Sequence, residues 1–440
     1  MQQTNSETNV SRQNPITWVP SVYFAMGLPF VVLNMVAVLM FKGLGVKDSQ
    51  ITFWTSLIMM PWTFKFLWSP FLELYRSKKF FVVTTQLVTG AGFALVGLAL
   101  NLPHYFTVCI ALMALIAFSG ATHDIATDGV YMAELSKEDQ ARFIGWQGAF
   151  YNIAKIVASG GLVWLAGWLL EYYGGVKGAP QSVMHSATVQ AWMVVMIALG
   201  VLMFLLGLYH TRMLPQGGKR NEKRMTAAET LDELVRVLGD FFKKRHIFYY
   251  IAFIILYRFA EGFVMKVVPL FLKAGREVGG LGLSGKEIGL YYGTVGAVAF
   301  VLGSILAGYY ISHFGLKRTL FSLCCVFNLP FVAYTLLSWY QPENGLLIGG
   351  AITLEYFGYG FGFVGLTLFM MQQIAPGKHQ MAHYAFASGI MNLGVMLPGM
   401  ASGAFSDWLG YKYFFIFTLV ATIPAFLITY FVPFTYEDKK

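Results

Sequence analysis

Of the chain's 440 residues, 57% are apolar and only 12% are charged, against about 25% charged in an ordinary soluble domain. With a mean hydropathy of +0.59 the chain needs lipid as its solvent, which excludes disordered, collagen-like and disulfide-stapled classes. The net charge of +9 fits either a nucleic-acid partner or a membrane topology signal, and its placement along the chain decides between them.

The first sixteen residues are polar and do not resemble a cleaved signal peptide. A spanning helix needs about 20 mainly apolar residues. Twelve runs qualify, at approximately 17–41, 50–75, 79–101, 104–134, 141–171, 187–211, 247–274, 285–311, 316–340, 343–374, 379–408 and 411–434. They are continuous rather than alternating, so the expected fold class is an all-α membrane protein with twelve transmembrane helices, and a β-barrel is disfavoured. Cys109, Cys324 and Cys325 all fall within apolar runs and offer neither a zinc spacing nor a disulfide framework.

The longest polar stretch, about 212–246, separates the sixth and seventh runs. It carries Lys219, Arg220, Lys223 and Arg224, then Thr230-x-x-Glu233 as a capping box. Leu231, Leu234, Val235, Leu238, Phe241 and Phe242 follow at helical spacing before Lys243, Lys244 and Arg245. An amphipathic helix with basic flanks lies on an anionic membrane surface; a partner-binding helix is the alternative. Three units result: a six-helix bundle over 1–211, a cytoplasmic linker over 212–246, and a second six-helix bundle over 247–440.

Lys and Arg placement sets orientation. With both termini in the cytoplasm, the inside segments hold 20 basic residues and the outside segments 7. The remaining four, Lys65, Lys155, Arg258 and Lys266, lie inside runs. The charge is therefore a topology signal and calls for no nucleic acid.

A pattern recurs at four run ends: a small residue, then an acid or hydroxyl four positions on, then usually glycine. It reads Ser69/Glu73/Arg76, Gly167/Glu171/Gly174, Gly308/Ser312/Gly315 and Gly403/Asp407/Gly410, with offsets of 239 and 236 between first and third and between second and fourth. Two pairs with nearly one offset argue for a duplicated six-helix unit. A small residue lets helices approach closely, and the acid can accept from backbone donors at a neighbouring helix N-terminus. Glu73, Arg76, Glu171, Gly308, Ser312, Gly315, Arg318 and Asp407 are accordingly read as conformational latches.

This pattern resembles the loop signature of the major facilitator superfamily. More narrowly, Phe64-Lys-Phe-Leu-Trp-Ser-Pro70, Ser119-Gly-Ala-Thr-His-Asp-Ile-Ala-Thr-Asp128, Leu256-Tyr-Arg-Phe-Ala-Glu261 and Glu355-Tyr-Phe-Gly-Tyr-Gly-Phe-Gly362 resemble the AmpG-type muropeptide permeases, relatives of the acetyl-coenzyme A transporters. Family members carry Asp-Arg where this chain has Glu73-Leu74, Gln where it has His123, and lysine and aspartate where it has Arg258 and Glu261. Charge is kept at the last two positions but geometry is not, since Arg and Lys are not interchangeable.

Ionisable side chains inside a span cost about 2.5–3.5 kcal/mol each on insertion scales. This chain carries Lys65, Asp124, Asp128, Lys155, Arg258, Glu261, Lys266 and Glu355 there, an equal number of each sign, which points to a polar interior. Asp124 and Asp128 share a helical face; two carboxylates in low dielectric cannot both ionise freely, as a proton carrier requires, and fixed salt bridges to Lys155 or Arg258 are the alternative. Glu261 and Glu355 are further proton-coupling candidates. Lys65, Lys155, Arg258 and Lys266 are substrate-binding candidates for an anionic group, with Asn34, Gln147, Tyr151, Asn152, Gln372 and Asn392 for hydroxyls, amides and sugar faces. Each of these polar residues has interhelical hydrogen bonding as its plain alternative.

The resemblance implies a proton-coupled symporter in a bacterial inner membrane, importing an amino-sugar-containing solute such as an anhydro-muropeptide by alternating access. An acetyl-coenzyme A or other organic-anion transporter is the second reading. A third, an intramembrane enzyme with metal on His123-Asp124-x-x-x-Asp128, finds no phosphate loop, nucleophile elbow or His-Glu-x-x-His pair in support. No cofactor and no metal is expected. The partners are a small-molecule substrate, the proton and the bilayer, and a monomer suffices.

Overall fold

The computed structural model describes residues 13–69, 72, 77–135, 137–217, 226–377 and 379–436, and every regular element among them is helical. Helix α1 runs Pro15–Gly43. Its start is fixed by Asn14, whose side chain accepts from the Ile16 N–H at 3.1 Å, with proline in the first turn. The second apolar run is not one helix. Helix α2 covers Asp48–Leu57, resumes as Met60–Phe64 and ends in a 3-10 turn, Lys65–Leu67. Pro61 has no N–H for the carbonyl of Leu57, which is where the first segment stops.

Lys78–Ala99 (α3), Tyr105–Glu134 (α4) and Gln181–Met213 (α6) are regular. Between the last two, α5 runs Lys137–Lys155, passes through a π turn at Ile156–Leu162 and continues as Val163–Tyr172. The linker helix α7, Ala227–Phe242, starts one turn earlier than expected. Its capping box is Thr226 with Glu229, not Thr230 with Glu233: the Thr226 hydroxyl accepts from Glu229 N–H at 3.2 Å and the Glu229 carboxylate accepts from Thr226 N–H at 2.6 Å. Ala227 and Ala228 favour extending the helix to that point, and Glu233 pairs with Arg236 instead. Leu234, Val237, Leu238 and Phe241 pack inward, while Leu231, Val235 and Phe242 stay exposed.

Helix α8 breaks at Arg258 into Ile247–Tyr257 and Phe259–Lys273. Helix α9 spans Gly285–Phe314 through a π turn at Gly289–Val295; α10 spans Leu316–Tyr340 around Pro330; α11 spans Gly345–Ile374 and closes in a π turn. The last stretch, α12, runs Gln380–Ala421 and Ile423–Tyr430 and breaks into two helices at Gly410, whose φ of 68° suits glycine. Among the described residues nine helical stretches are long and apolar enough to cross a membrane. The twelve runs differ from these nine at α2 and α8, each interrupted, and at α12, which holds two runs in one stretch.

Three apolar cores organise the packing. The largest collects Val31–Phe41 with residues of α3 to α6, α8 and the end of α12. It lies at the end of the bundle away from the chain termini and joins the two parts of the chain. At the termini end there are two separate cores, one around Trp18, Tyr23, Val130 and Leu135 and one around Tyr250, Phe253, Phe327 and Phe369. Helices α5 and α9 show the same asymmetry. Their far halves interlock through glycines: a Cβ on Gly167 would sit 2.7 Å from Lys286 N, and one on Gly289 would sit 2.7 Å from Gly160 O. Their near halves pack elsewhere, Lys137–Lys155 on α1 and Gly296–Phe314 on α11. Helix α2 touches α12 at both ends, with Thr52 against Gly403 and Phe66 against Phe386 at 4.8 Å. The bundle is closed at the far end and parted between α5 and α9 at the near end.

Candidate functional site

Three of the four π turns converge. The turns at Val32–Val36, Ile156–Leu162 and Gly289–Val295 supply Asn34, Ser159, Tyr292 and Gly293 to a cavity of about 110 Å³, completed by Asn152, Lys155, Phe300, Tyr356 and Tyr359. A π turn widens a helix by one residue and is common at functional sites. Lys155 stands over the Phe300 ring at 4.8 Å and over Tyr151 at 5.4 Å, a cation–π setting. The Asn152 amide nitrogen donates to Gly148 O at 2.9 Å.

The acids on α4 sit to one side of this cavity. Asp124 accepts from the Trp62 indole at 2.9 Å and lies 3.5 Å from Lys65, both on the same oxygen, Oδ2. Its Oδ1 is buried with no hydrogen-bond partner. Asp128 accepts from the Tyr23 hydroxyl at 2.9 Å. Neither Lys155 nor Arg258 forms a salt bridge with these acids. His123 points away from them: it meets Gln86 at 2.9 Å, Gln86 meets His210 at 2.8 Å, and His210 meets Ser21 at 2.9 Å. One His and two Asp therefore do not converge, and among the described residues no group of three or more His, Cys, Asp or Glu could hold a metal ion.

Arg258, at the break in α8, forks onto Glu261 with contacts of 2.6 and 2.5 Å, and the pair is buried. Tyr359 lies 3.5 Å from Arg258. Glu355 accepts from Tyr334 at 2.9 Å. Lys266 is 3% exposed and is held by four oxygens from α1 and α2: Asn34 Oδ1 at 2.7 Å, Asn34 O at 3.1 Å, Thr55 O at 3.3 Å and Thr55 Oγ1 at 3.4 Å. The equal count of signs resolves into two ion pairs, two carboxylates on tyrosine hydroxyls, and two lysines, Lys155 and Lys266, outside every salt bridge among the described residues.

Other candidates lie apart from the cavity. Gln147 is half-exposed on the near half of α5, Gln372 is exposed at the end of α11, and Asn392 is half-buried on α12. Gln373, beside Gln372, accepts from the N–H groups of Thr435 and Tyr436 and ties down the C-terminal segment. Of the latch residues, Asp407 accepts from Ser49 N–H at the start of α2 at 3.3 Å, and Glu171 pairs with Lys286 at 2.6 Å. Ser312 donates within its own helix to Tyr309 O at 2.8 Å, Gly308 has no neighbour for a Cβ within 4 Å, Gly315 has a φ of 82°, and Arg318 is exposed. Glu73 and Arg76 lie outside the described residues.

Sequence reasoning did not reach Tyr23, Thr55, Met265, Tyr292, Phe300, Tyr334 or the Gln86–His210 contact. These are ordinary apolar-run residues by type, and only the meeting of distant helices gives them partners. Tyr359 had a signal, since it lies three positions after Tyr356 and so shares its face.

Comparison with known proteins adds to this geometry. Residues 21–375 match the Major Facilitator Superfamily. The chain is 23% identical over 412 residues to the anhydromuropeptide permease of Escherichia coli, covering 92% of this chain and 77% of that one. It is 23% identical over 433 residues to an uncharacterised protein of Haemophilus influenzae, covering 95% and 94%. Among solved structures, a D-xylose–proton symporter superposes with a TM-score of 0.69 at 12% identity, covering 96% of this chain and 98% of that one. A bacterial homologue of the human lysosomal transporter Spinster, inward-facing and unoccupied, superposes with a TM-score of 0.67 at 14% identity, covering 94% of each. At these identities the structural likeness speaks for the fold alone.

Proposed function

The chain belongs to the Major Facilitator Superfamily and is a multi-pass membrane transporter of a small-molecule substrate, and from that premise we propose that it is a proton-coupled symporter of an amino-sugar-containing solute of the anhydro-muropeptide class. It works as a monomer in a bacterial inner membrane with both termini in the cytoplasm, an orientation supported by the excess of Lys and Arg in those loops. Residues 1–211 and 247–440 are two six-helix bundles that rock about the cavity, and 212–246 lies along the cytoplasmic leaflet. The closed far end is then periplasmic and the conformer faces inward.

The observation that carries proton coupling is the asymmetry of Asp124. Both of its donors, Trp62 and Lys65, use Oδ2, and Oδ1 is buried and unpartnered. The acid can therefore take a proton on Oδ1 without breaking a hydrogen bond, and the negative charge that holds Lys65 changes when it does. Asp128 shares this role through its helical neighbourhood, and Glu261 and Glu355 are the corresponding acids of the second bundle. Lys155, Asn34 and Asn152 bind the solute at the cavity, with the Tyr151 ring holding the Lys155 ammonium. Uptake of anhydro-disaccharide by reconstituted vesicles tests the reading: an inward proton gradient accelerates uptake, and Asp124→Asn removes the acceleration while keeping solute exchange. Gradient-indifferent uptake, or full gradient response in the variant, overturns it.

A second reading, exchange of acetyl-coenzyme A or another organic anion, is favoured by Lys155, which lines the cavity outside every salt bridge among the described residues. Gradient-independent exchange of acetyl-coenzyme A in the same vesicles, with no sugar uptake, selects it.

A further inference from the structure

The two asparagines at the cavity have opposite polarity, and the partner of each dictates it. An ammonium group only donates, so the Asn34 atom 2.7 Å from Lys266 Nζ is its amide oxygen. The amide nitrogen is left with Met265 Sδ at 3.9 Å, a weak acceptor. A backbone carbonyl only accepts, so the Asn152 atom 2.9 Å from Gly148 O is its nitrogen, and the Asn152 oxygen is left open. The cavity thus offers an N–H donor from Asn34, an ammonium from Lys155 and an acceptor from Asn152, among the rings of Phe30, Phe300 and Tyr356.

Lys266 itself lies deep: it is 3% exposed, and Thr55 holds it from the other side with two oxygens. Helix α2 stops at Leu57, which frees the Thr55 carbonyl from the helical ladder. Asn34 lies in the π turn at Val32–Val36, and its own carbonyl also reaches the ammonium. The lysine is therefore clamped where it can act on Asn34 and cannot itself project into the cavity.

We propose that this cavity recognises an acylamino group, with Asn34 and Lys155 donating to the acyl oxygen, Asn152 accepting from the amide N–H, and Lys266 as a positioning residue that fixes the Asn34 carboxamide in the donating orientation. The inference rests on the cavity being the solute site and adds which chemical group is read there. A free amine offers only donors and a second positive charge beside Lys155, and it is rejected.

Binding of N-acetylglucosamine and of glucosamine to the purified full-length protein, measured by calorimetry, tests this without any proton gradient. The wild type prefers the acetylated sugar by about tenfold or more, the scale of one net hydrogen bond. Asn34→Asp keeps an oxygen on Lys266 and presents the other to the cavity, so the preference falls by about tenfold or inverts. Lys266→Met frees the Asn34 carboxamide to turn and lowers the ratio of the two affinities; a purely structural role would weaken both sugars alike. Because Asn34→Asp retains a partner for Lys266, it stays informative even if Lys266→Met does not fold. A wild type that does not prefer the acetylated sugar, or an Asn34→Asp variant with the wild-type ratio, overturns the proposal. The predicted ratios together with absent gradient-driven uptake would refute proton symport and leave the acylamino site standing.

Discussion

Replacing Gly293 by alanine asks whether the far-end closure of α5 on α9 is one state of a switch. A Cβ at Gly293 would overlap the carbonyl of Ser159 and lie 2.5 Å from Gly160 N. Both neighbours are backbone, so no side chain can swing aside and the two helices must part by roughly 1.2–1.5 Å to reach an ordinary C···O contact of roughly 3.3–3.6 Å. Overpacking of this kind costs about 1–3 kcal/mol, and the cost falls only on the conformer in which the far halves touch. A change of that size shifts a two-state equilibrium by about 5–150-fold. Spin labels at Lys177 and Glu343, both exposed in far-end loops, in a background lacking Cys109, Cys324 and Cys325, report the separation by pulsed electron resonance. Gly293→Ala adds a longer-distance population. Gly161→Ala is the matched control, because a Cβ there meets nothing within 4 Å. Identical distance distributions for the two variants would refute the reasoning.

Three further outcomes follow from single contacts. Gln86→Leu leaves one nitrogen each of His123 and His210 without its partner in a buried setting, at about 1–3 kcal/mol per group, and lowers the melting temperature of the detergent-solubilised protein; an unchanged melting curve contradicts it. Lys65→Ala abolishes gradient-driven uptake while solute exchange continues, and full coupling in that variant would remove Lys65 from the proton pathway. Thr226→Ala with Glu229→Ala exposes the start of α7 to hydrogen exchange across Ala227–Val235. The backbone N–H of Thr226, and then its hydroxyl, hold the Glu229 carboxyl below its ordinary range. Its stabilising contact is thus present at neutral pH and lost as pH falls through that lowered value, so wild-type protection over this turn declines in acid and the variant's does not.

Fold class, membrane character and the identity of the buried charges were legible in the sequence, because each rests on residue type and on runs longer than a bilayer is thick. The placement of the linker helix was legible too, although its start was not: Thr230-x-x-Glu233 has the same spacing as Thr226-x-x-Glu229, and only the observed hydrogen bonds choose between them. The breaks were partly signalled, by Pro61 in α2 and by Gly410 in α12. The π turns were not, since a one-residue insertion in a helical ladder leaves no compositional trace, and three of them make the cavity. Charge pairing was the least readable feature. Arg258 and Glu261 lie three positions apart, a spacing at which two side chains on one helix can meet, but Lys266 lies 232 positions from Asn34 and 211 from Thr55, and nothing local announces such a contact.

Helix α2 links the acid to the closure. It is the element on which Lys65 and Trp62 meet Asp124, and it carries Thr55, which clamps Lys266, and Thr52, which accepts from Gly403 N–H at 3.0 Å. Between these two groups its ladder is interrupted after Leu57, so its lower and upper parts can turn relative to each other without breaking an intact helix. Beside the shared apolar core and the glycine contacts of α5 with α9, the far end is held by polar cross-bundle contacts that include Asp407 on Ser49, Asp48 on Tyr411 at 2.9 Å, Glu171 on Lys286, and Lys266 on Asn34 and Thr55. Hydrogen bonds to charged groups contribute about 1.5–3 kcal/mol each, and the more exposed Glu171–Lys286 pair less. A change in the charge of Asp124 is of the same order, because it acts from a buried site on a partly exposed lysine 3.5 Å away. Loss of that attraction would let the segment carrying Lys65 move, and the upper part of α2 would carry the movement to Thr55 and Thr52. Coupling by this route needs Lys65 to be charged and α2 to remain interrupted. An Asp124 that acted only as a local structural acid would need neither.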